Sequence, residues 1–333
     1  MKPGNARILI IGAGVNGSIC AARLHRAGVN VKVLARGKRY VEVRDQGIII
    51  EDVLKKTRDL TQVPVAAELE TKDIYDYILV VVRKNQAPDL LPTLARNGTP
   101  NIVFMVNNPS GPEEWIRALG KERVLVGFVF GSGKRDGNVV RGITSITSRS
   151  LAGRLWPTPF GELDGAITPR LKRLVGIFRN AGLAAVVSTH VSDYVATHAA
   201  LVAVIEAFVV PRGYDHESLA HYTVADIRLF VEAMREALEV LRADGVRVTP
   251  SIIGMLEVVP RWILVAAIRR ILPSRFMEAG SMDLPQALDE MIQLVGEVRV
   301  LVEKSSLSVP EIRKLLGMNA LGSDLGAEAT TLR

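Results

Sequence analysis

Residues 7–17 read Arg-Ile-Leu-Ile-Ile-Gly-Ala-Gly-Val-Asn-Gly, an apolar run that breaks on Gly12-x-Gly14-x-x-Gly17. A helical pattern follows from Ser18 to Ala27 and closes on Gly28. It gives way to a second apolar run, Val31–Ala35, ending on Arg36. Strand, glycine turn, helix, strand is the order in which a chain wraps the diphosphate of a dinucleotide. Each glycine has its own task there. Gly12 allows the tight turn, Gly14 lets the backbone approach phosphate oxygens with no Cβ in the way, and Gly17 lets the helix lie close on the sheet. Gly12, Ala13, Gly14, Val15, Asn16 and Gly17 are therefore the expected cofactor cradle, with the helix N-terminus aimed at the anion.

The second strand bears on which dinucleotide. An acidic residue about 20 residues beyond the glycines usually marks selectivity for NAD. Here the sequence is Ala35-Arg36-Gly37-Lys38-Arg39, cationic and without a carboxylate. Such a stretch favours a ribose 2′-phosphate, and the Arg36 guanidinium can grip it through two parallel hydrogen bonds. NADP(H) is the expected cofactor. A solvated basic loop is the plainer alternative.

The chain has 333 residues, enough for two domains with separate cores. Hydrophobic residues make up 48% and charged residues 23%, a balance that excludes extensive disorder. The formal charge is +7, but the arginines are spread along the chain without aromatic interleaving. General affinity for anions is expected, and a nucleic-acid partner is not. The single cysteine, Cys20, excludes an intramolecular disulfide and a cysteine zinc site, and reads as a packing residue. His190, His216 and His221 fall in linkers or loops without ligand spacing, so no metal is expected. With no signal-like stretch before the first strand, a cytoplasmic location is expected. Tyr194–Val210 is the longest apolar stretch, yet it carries His198 and Glu206. It reads as too short and polar for a membrane span, and as a core or interface helix.

Strand-like runs recur at Ile8–Ile11, Val31–Leu34, Ile48–Ile50, Ile78–Val82, Ile102–Val106 and Val124–Phe130. Helical patterns intervene at Ala87–Arg96 and Pro112–Leu119. This alternation predicts an α/β, Rossmann-type doubly wound parallel sheet with helices on both faces. Val139–Thr147 and Arg154–Trp156 read as further strand segments, Thr168–Gly182 as a helix, and Leu183–Val187 as a strand. From there the pattern turns all-helical. Helices are expected at 194–210, capped by Ser192-Asp193 and broken by Pro211-Arg212-Gly213, then at Val224–Asp244, 250–272, 284–304 and 309–316. The expected division is a dinucleotide domain over 1–188, an all-α substrate and dimerisation domain over 189–316, and a frayed tail over 317–333. Helices 194–210 and 252–272 are the candidate surfaces for a homodimer.

This order, with "ILIIGAGVNGSICAARLHRAG" over 8–28 and "VKVLARG" after it, resembles the ketopantoate reductase (2-dehydropantoate 2-reductase) family. "VVVRKNQ" at 80–86 looks like that family's fourth-strand end, which implies cofactor contacts for Arg83 and Gln86. "FMVNNPSGPEE" at 104–114 looks like its asparagine loop near the nicotinamide, with Asn108 at the matching position. The resemblance implies an NADPH-dependent reductase of a small, carboxylate-bearing 2-oxo acid or related carbonyl compound, with substrate entering between the domains. It departs in the helical half, where Ala196 falls at the family's lysine and Ala200 at its helix asparagine. The family's Ser-Ser-Met survives as Gly280-Ser281-Met282, and Glu290 is the nearest match to its glutamate. His198, two residues past Ala196, is the substitute group for the carbonyl oxygen, against the reading of a core histidine. An NADP(H)-binding regulatory protein without turnover, or an imine or opine-type reductase, are the alternatives.

Overall fold

The computed structural model describes residues 6–53, 55–129, 131–143, 157–212, 216–274 and 288–318. By internal contacts the chain forms two units, one of residues 1–106 and 111–192, the other of 107–110 and 193–333.

In the first unit the strands are β1 (Arg7–Ile11), β2 (Asn30–Leu34), β3 (Ile48–Asp52), β4 (Thr57–Thr61), β5 (Val65–Ala66) and β6 (Tyr77–Val80). They continue with β7 (Ile102–Phe104), β8 (Val124–Gly127), β9 (Ser132–Asp136), β10 (Val139–Ile143), β11 (Thr158–Glu162) and β12 (Ala185–Val187). Eight of them form one sheet in the order β12-β11-β8-β7-β6-β1-β2-β5. Every pair in it is parallel except β11 with β8. The apolar runs explain this arrangement. Ile8 to Ile11 and all of β6, β7 and β8 are buried, as strands covered on both faces must be. The chain leaves β1 towards β2 on one side and returns through β6 on the other. This places the topological switch at β1/β6, and the C-terminal ends of those strands are where such sheets bind ligands.

Helices α1 (Val15–Arg26), α2 (Gly37–Gln46), α3 (Leu91–Arg96), α4 (Glu113–Leu119) and α5 (Pro169–Asn180) complete this unit. α5 begins where its sequence says it should. Thr168 accepts a hydrogen bond from the Leu171 N–H, and Pro169 occupies the first turn, where no N–H is needed. Its apolar face meets the sheet through Phe178, edge-on to Phe160 at 4.7 Å between ring centroids. On α4, Trp115 stacks on Phe104 of β7 at 4.1 Å.

One expectation changes here. Ile48–Ile50 does form a strand, but β3 joins a second sheet of order β4-β3-β10-β9 instead of the main one. Glu51 of β3, in register with Arg58 and Arg141 on either side, pairs with both, and this holds the small sheet together across its strands. β4, β5 and β9 were not legible: TRDLT, VA and SGKRD carry little apolar patterning. The Arg154–Trp156 segment lies outside the described residues, and the strand there is Thr158–Glu162, with Pro159 inside it.

The second unit holds α6 (Val191–Val209), α7 (His216–Ala220), α8 (Val224–Ala243), α9 (Met255–Val258), α10 (Arg261–Ile271), α11 (Leu288–Lys304) and α12 (Pro310–Met318). Alanines at 199, 200, 203 and 207 are buried on α6, and Phe208 packs on Phe230 of α8. Thr223 and Asp226 form a reciprocal cap at the start of α8. Glu236 of α8 accepts the Ile312 N–H at 2.6 Å, which caps the opening turn of α12.

Sequence boundaries shift here too. α6 starts at Val191, so Ser192 and Asp193 lie in its first turn instead of capping it. With the turn after it, Val191–Arg212 is long and apolar enough to cross a membrane by length and composition, contrary to the reading from sequence. Its apolar window is 72% buried within the protein, as for a core helix. The helix expected over 250–272 is broken at Val259-Pro260 into pieces bent by 116°, because Pro260 cannot supply the N–H a continuous helix requires. Gly317 and Met318 belong to α12, and the rest of the expected tail lies outside the described residues.

Phe178→Ala should lower the stability of the first unit by about 3–5 kcal/mol, since it removes a fully buried ring and its aromatic partner contact. An unchanged urea midpoint would contradict this packing.

Candidate functional site

The glycine turn is built by steric exclusion. Gly12 has φ +109°, and a Cβ there would lie 2.1 Å from the Val81 carbonyl oxygen. A Cβ on Gly17 would lie 1.8 Å from the Gly12 oxygen. Gly17 thus lets α1 close on the loop itself, a tighter constraint than contact with the sheet. Gly14 differs from both: it is exposed, and no atom lies within 4 Å of where its Cβ would be. This open space faces the N-terminus of α1, whose first turn carries no acidic residue and whose N-cap is Gly14. Backbone N–H groups and the helix dipole can therefore meet an anion there. Ala13 is buried within the turn, and Val15 is partly buried. Asn16 turns its Oδ1 against Gly131, where it is buried without a hydrogen bond. These residues fit the diphosphate of a dinucleotide.

The basic stretch after β2 divides into two roles. Arg36 is exposed and extended at the N-cap of α2, and Lys38 is exposed one residue inside that helix. Arg36 is open to an anion, and Lys38 lies 3.9 Å from the Glu42 carboxylate while most of its side chain stays exposed. Arg39 faces inward. Its guanidinium donates to the Ala13 carbonyl at 2.9 Å, to Ser18 Oγ at 3.0 Å and to the Gly137 carbonyl at 3.0 Å. Ser18 Oγ also donates to the Ala13 carbonyl at 3.2 Å, so two side chains hold one carbonyl of the turn. Glu42, 8% exposed, pairs with Arg39 at 3.4 Å and with Arg135 of β9 at 3.3 Å. Burial holds the Arg39 guanidinium below its ordinary range, with Arg135 adding repulsion and Glu42 opposing both. The plainer alternative of a solvated basic loop over 35–39 does not hold, since 37–46 is helical, and a carboxylate stands one turn on, at Glu42. The i,i+3 spacing of Arg39 and Glu42 was the available signal.

Arg83 follows the end of β6 and is partly exposed. Gln86 is exposed and bends back, so that its Oε1 accepts the Arg83 N–H at 3.4 Å and steadies the turn between them. Cys20 is buried, and that burial pushes its thiol up to about 12, which leaves it an inert packing group. Among the described residues no cluster of acidic, histidine or cysteine side chains could hold a metal ion.

The second unit brings together residues far apart in sequence. His198 of α6 places Nδ1 3.2 Å from Asn107 Oδ1, and Asn107 Nδ2 donates to Glu290 Oε1 of α11 at 3.4 Å. Ser110, in the same loop as Asn107, donates to Glu297, two helical turns beyond Glu290 on α11. The loop 107–110 thus sits among helices of the second unit although it follows β7 by three residues. Asn108, the residue expected to act, is buried, and it is Asn107 that meets His198. Burial lowers the His198 pKa to about 4, so the imidazole is neutral at physiological pH. Tyr194, one turn earlier, is buried and its phenol pushed up to about 12 by desolvation. Ala196 and Ala200 are buried. Ser281 lies outside the described residues.

Residues 8–149 match the family described as ketopantoate reductase PanE/ApbA. No curated protein matches the chain. Among solved structures the chain is similar to D-mandelate dehydrogenase in ternary complex with NADH and anilino(oxo)acetate. The identity is 15% and the TM-score 0.71, over 93% of this chain and 96% of that one. It is also similar to 2-dehydropantoate 2-reductase from Methylococcus capsulatus, at 19% identity and TM-score 0.68, over 94% and 95%. PanE/ApbA family ketopantoate reductase from Ralstonia eutropha JMP134 gives 18%, 0.70, 94% and 96%. At these identities the likeness is one of fold.

Arg39→Met should cost the first unit about 2–3 kcal/mol, because it removes charge-assisted hydrogen bonds to the turn while Glu42 keeps Arg135. Urea unfolding checks this, and a neutral effect would mean that the turn holds its shape without the guanidinium.

Proposed function

We propose that this protein is an NADP(H)-dependent oxidoreductase of the ketopantoate reductase family, acting on a small 2-oxo or 2-hydroxy acid or related carbonyl compound. The observation that carries the reading is the glycine turn. Two of its glycines have no room for a Cβ, and the third opens onto the start of α1 at the switch point of the sheet. The family match over 8–149 spans this turn and the strands beside it. The anilino(oxo)acetate bound with NADH in D-mandelate dehydrogenase, which shares this fold, supports a 2-oxo acid as the substrate class.

The residues then take these roles. The N–H groups at Gly14–Gly17 hold the diphosphate, and Arg36 with Lys38 neutralises the 2′-phosphate. Arg39 keeps the Ala13 carbonyl turned away from the anion. Arg83, at the end of β6, adds positive charge on the same rim. A bound nicotinamide supplies the hydride chemistry. Asn108, in the loop that follows β7, matches the asparagine that the family resemblance places near the nicotinamide. Ala196 stands where the family's lysine is expected, and His198 is the titratable group left to meet the substrate oxygen.

NADPH fluorescence and thermal unfolding test the cofactor claim. Micromolar binding with stabilisation that grows with ligand concentration is expected, and the absence of both would contradict it. Replacing Arg36 and Lys38 by alanine should weaken NADPH about tenfold or more, roughly 1.4 kcal/mol per tenfold, and leave NADH nearly unchanged. Equal loss for both cofactors would remove the 2′-phosphate role. His198→Ala should lower turnover roughly a hundredfold while cofactor affinity holds. Steady-state kinetics on D-mandelate, D-pantoate and their 2-oxo counterparts would read this out.

A further inference from the structure

α9 and α10 form an elbow that turns its polar groups inward and its apolar groups outward. The Arg235 guanidinium of α8 donates to the Leu256 carbonyl at 2.6 Å and to the Val259 carbonyl. Arg242 of α8 pairs with Glu257, and Glu232 of α8 pairs with Arg261 at 2.6 Å. Three side chains of one helix thus clamp the elbow. Outward, Val258 is 80% exposed and Trp262 73%, and Met255, Ile263 and Ile271 are exposed beside them. The free face of α10 keeps helical spacing. Trp262, Ile263, Ala266, Arg269 and Arg270 recur at three and four residues and are exposed, while Val265 is buried behind them. Glu257 is the one carboxylate in 255–271, and Arg242 engages it. Among the described residues, Arg269 and Arg270 make no ion pair.

We infer that two copies of the chain meet through this face, their α10 helices antiparallel about a two-fold axis at Ala266. Of the two helices that the sequence offered for a dimer, α6 has its apolar window buried in the protein, which leaves α10. A two-fold axis sets residues equally spaced on either side of Ala266 opposite one another. Trp262 therefore meets the partner's Arg270, and Ile263 meets the partner's Arg269. A guanidinium over an indole ring is a favourable cation–π pair, so the face complements itself although it holds no free carboxylate. Ala266, with nothing beyond Cβ, lets the two helices approach to about 8 Å.

Charge repulsion does not oppose this register. Arg269 and Arg270 lie three and four residues from the axis. At the helical rise, equivalent arginines of the two copies are about 9 to 12 Å apart along it, beyond the Debye length of about 8 Å at physiological salt. A parallel register would instead stack like charges and leave each indole without a cation. The contact uses the same face on both copies, so it closes at two. It is also small. A stable interface takes about 20–30 residues a side, more than the outward face of the elbow provides, so a dissociation constant on the order of 10 μM is expected.

Sedimentation equilibrium of the full chain, at concentrations from about a tenth to ten times that constant, tests the inference. A monomer–dimer equilibrium is expected. Trp262→Ala and Arg270→Glu should each raise the dissociation constant about tenfold or more, and Trp262→Phe should keep most of the association. These side chains are exposed, so the thermal unfolding of dilute samples should not change. Cross-linking fixes the register. Cys20 is the single cysteine and is buried, so Ala266→Cys adds the one reactive thiol. Oxidised glutathione should join two copies through it, since facing Cα atoms of helices packed this closely lie within disulfide reach. Ala267→Cys, turned about 100° around the helix, should cross-link about tenfold more slowly. A chain that stays monomeric throughout overturns the inference, whether residues 275–287 cover the face or anionic vesicles bind it. A dimer that is indifferent to W262A, or that cross-links equally through residue 267, overturns it too.

Discussion

The approach of Gly17 to the Gly12 carbonyl, where a Cβ would sit 1.8 Å from oxygen, is the constraint on which the rest of the rim depends. It fixes where α1 begins, and therefore where the positive end of its dipole points. The same turn is pinned from below, because Gly12 fits against Val81 at the end of β6. It is pinned from the side by Arg39 and Ser18, which share the Ala13 carbonyl. A loop held on three sides presents its amide groups without having to be ordered by the ligand. That is what pre-organisation contributes to binding an anion.

The basic residues near the turn show how one kind of side chain serves two ends. Arg36 is exposed to solvent and available for charge that arrives with a ligand, and Lys38 is exposed with only a 3.9 Å approach to Glu42. Arg39, one residue beyond Lys38, is taken up in the Glu42–Arg135 cluster that joins α2 to the small sheet. Counting cations in the sequence could not separate these uses. The separation follows from helical geometry, which turns positions 36 and 38 outward and brings 39 and 42 onto one inward face.

Much of the fold could be read from the chain because its central strands are continuous Ile, Val and Leu runs bounded by glycine or charged residues. Ile8–Ile11, between Arg7 and Gly12, is such a case, the run from Ile78 ends on Arg83, and Lys32 alone interrupts Val31–Leu34. The small sheet escaped notice because RDL and KRD, in β4 and β9, are held by ion pairs and register instead of an apolar face. Pro260 breaks the helix inside a pattern of otherwise good helical spacing. Of the site, the glycine turn, Arg36 and His198 carry local signals. Asn107 does not, because its meaning comes from two partners, His198 and Glu290, that lie 91 and 183 residues away. The family resemblance pointed to its neighbour Asn108, and only the fold shows which of the two amides meets the imidazole.

The central claim is that the open side of the glycine turn receives the diphosphate of NADP(H). Backbone hydrogen exchange over residues 12–18, with and without NADPH, tests it most directly. The account requires slowed exchange at the amides of Gly14 to Gly17 when the dinucleotide is present. Unchanged exchange there, with protection elsewhere in the chain at saturating NADPH, would contradict it.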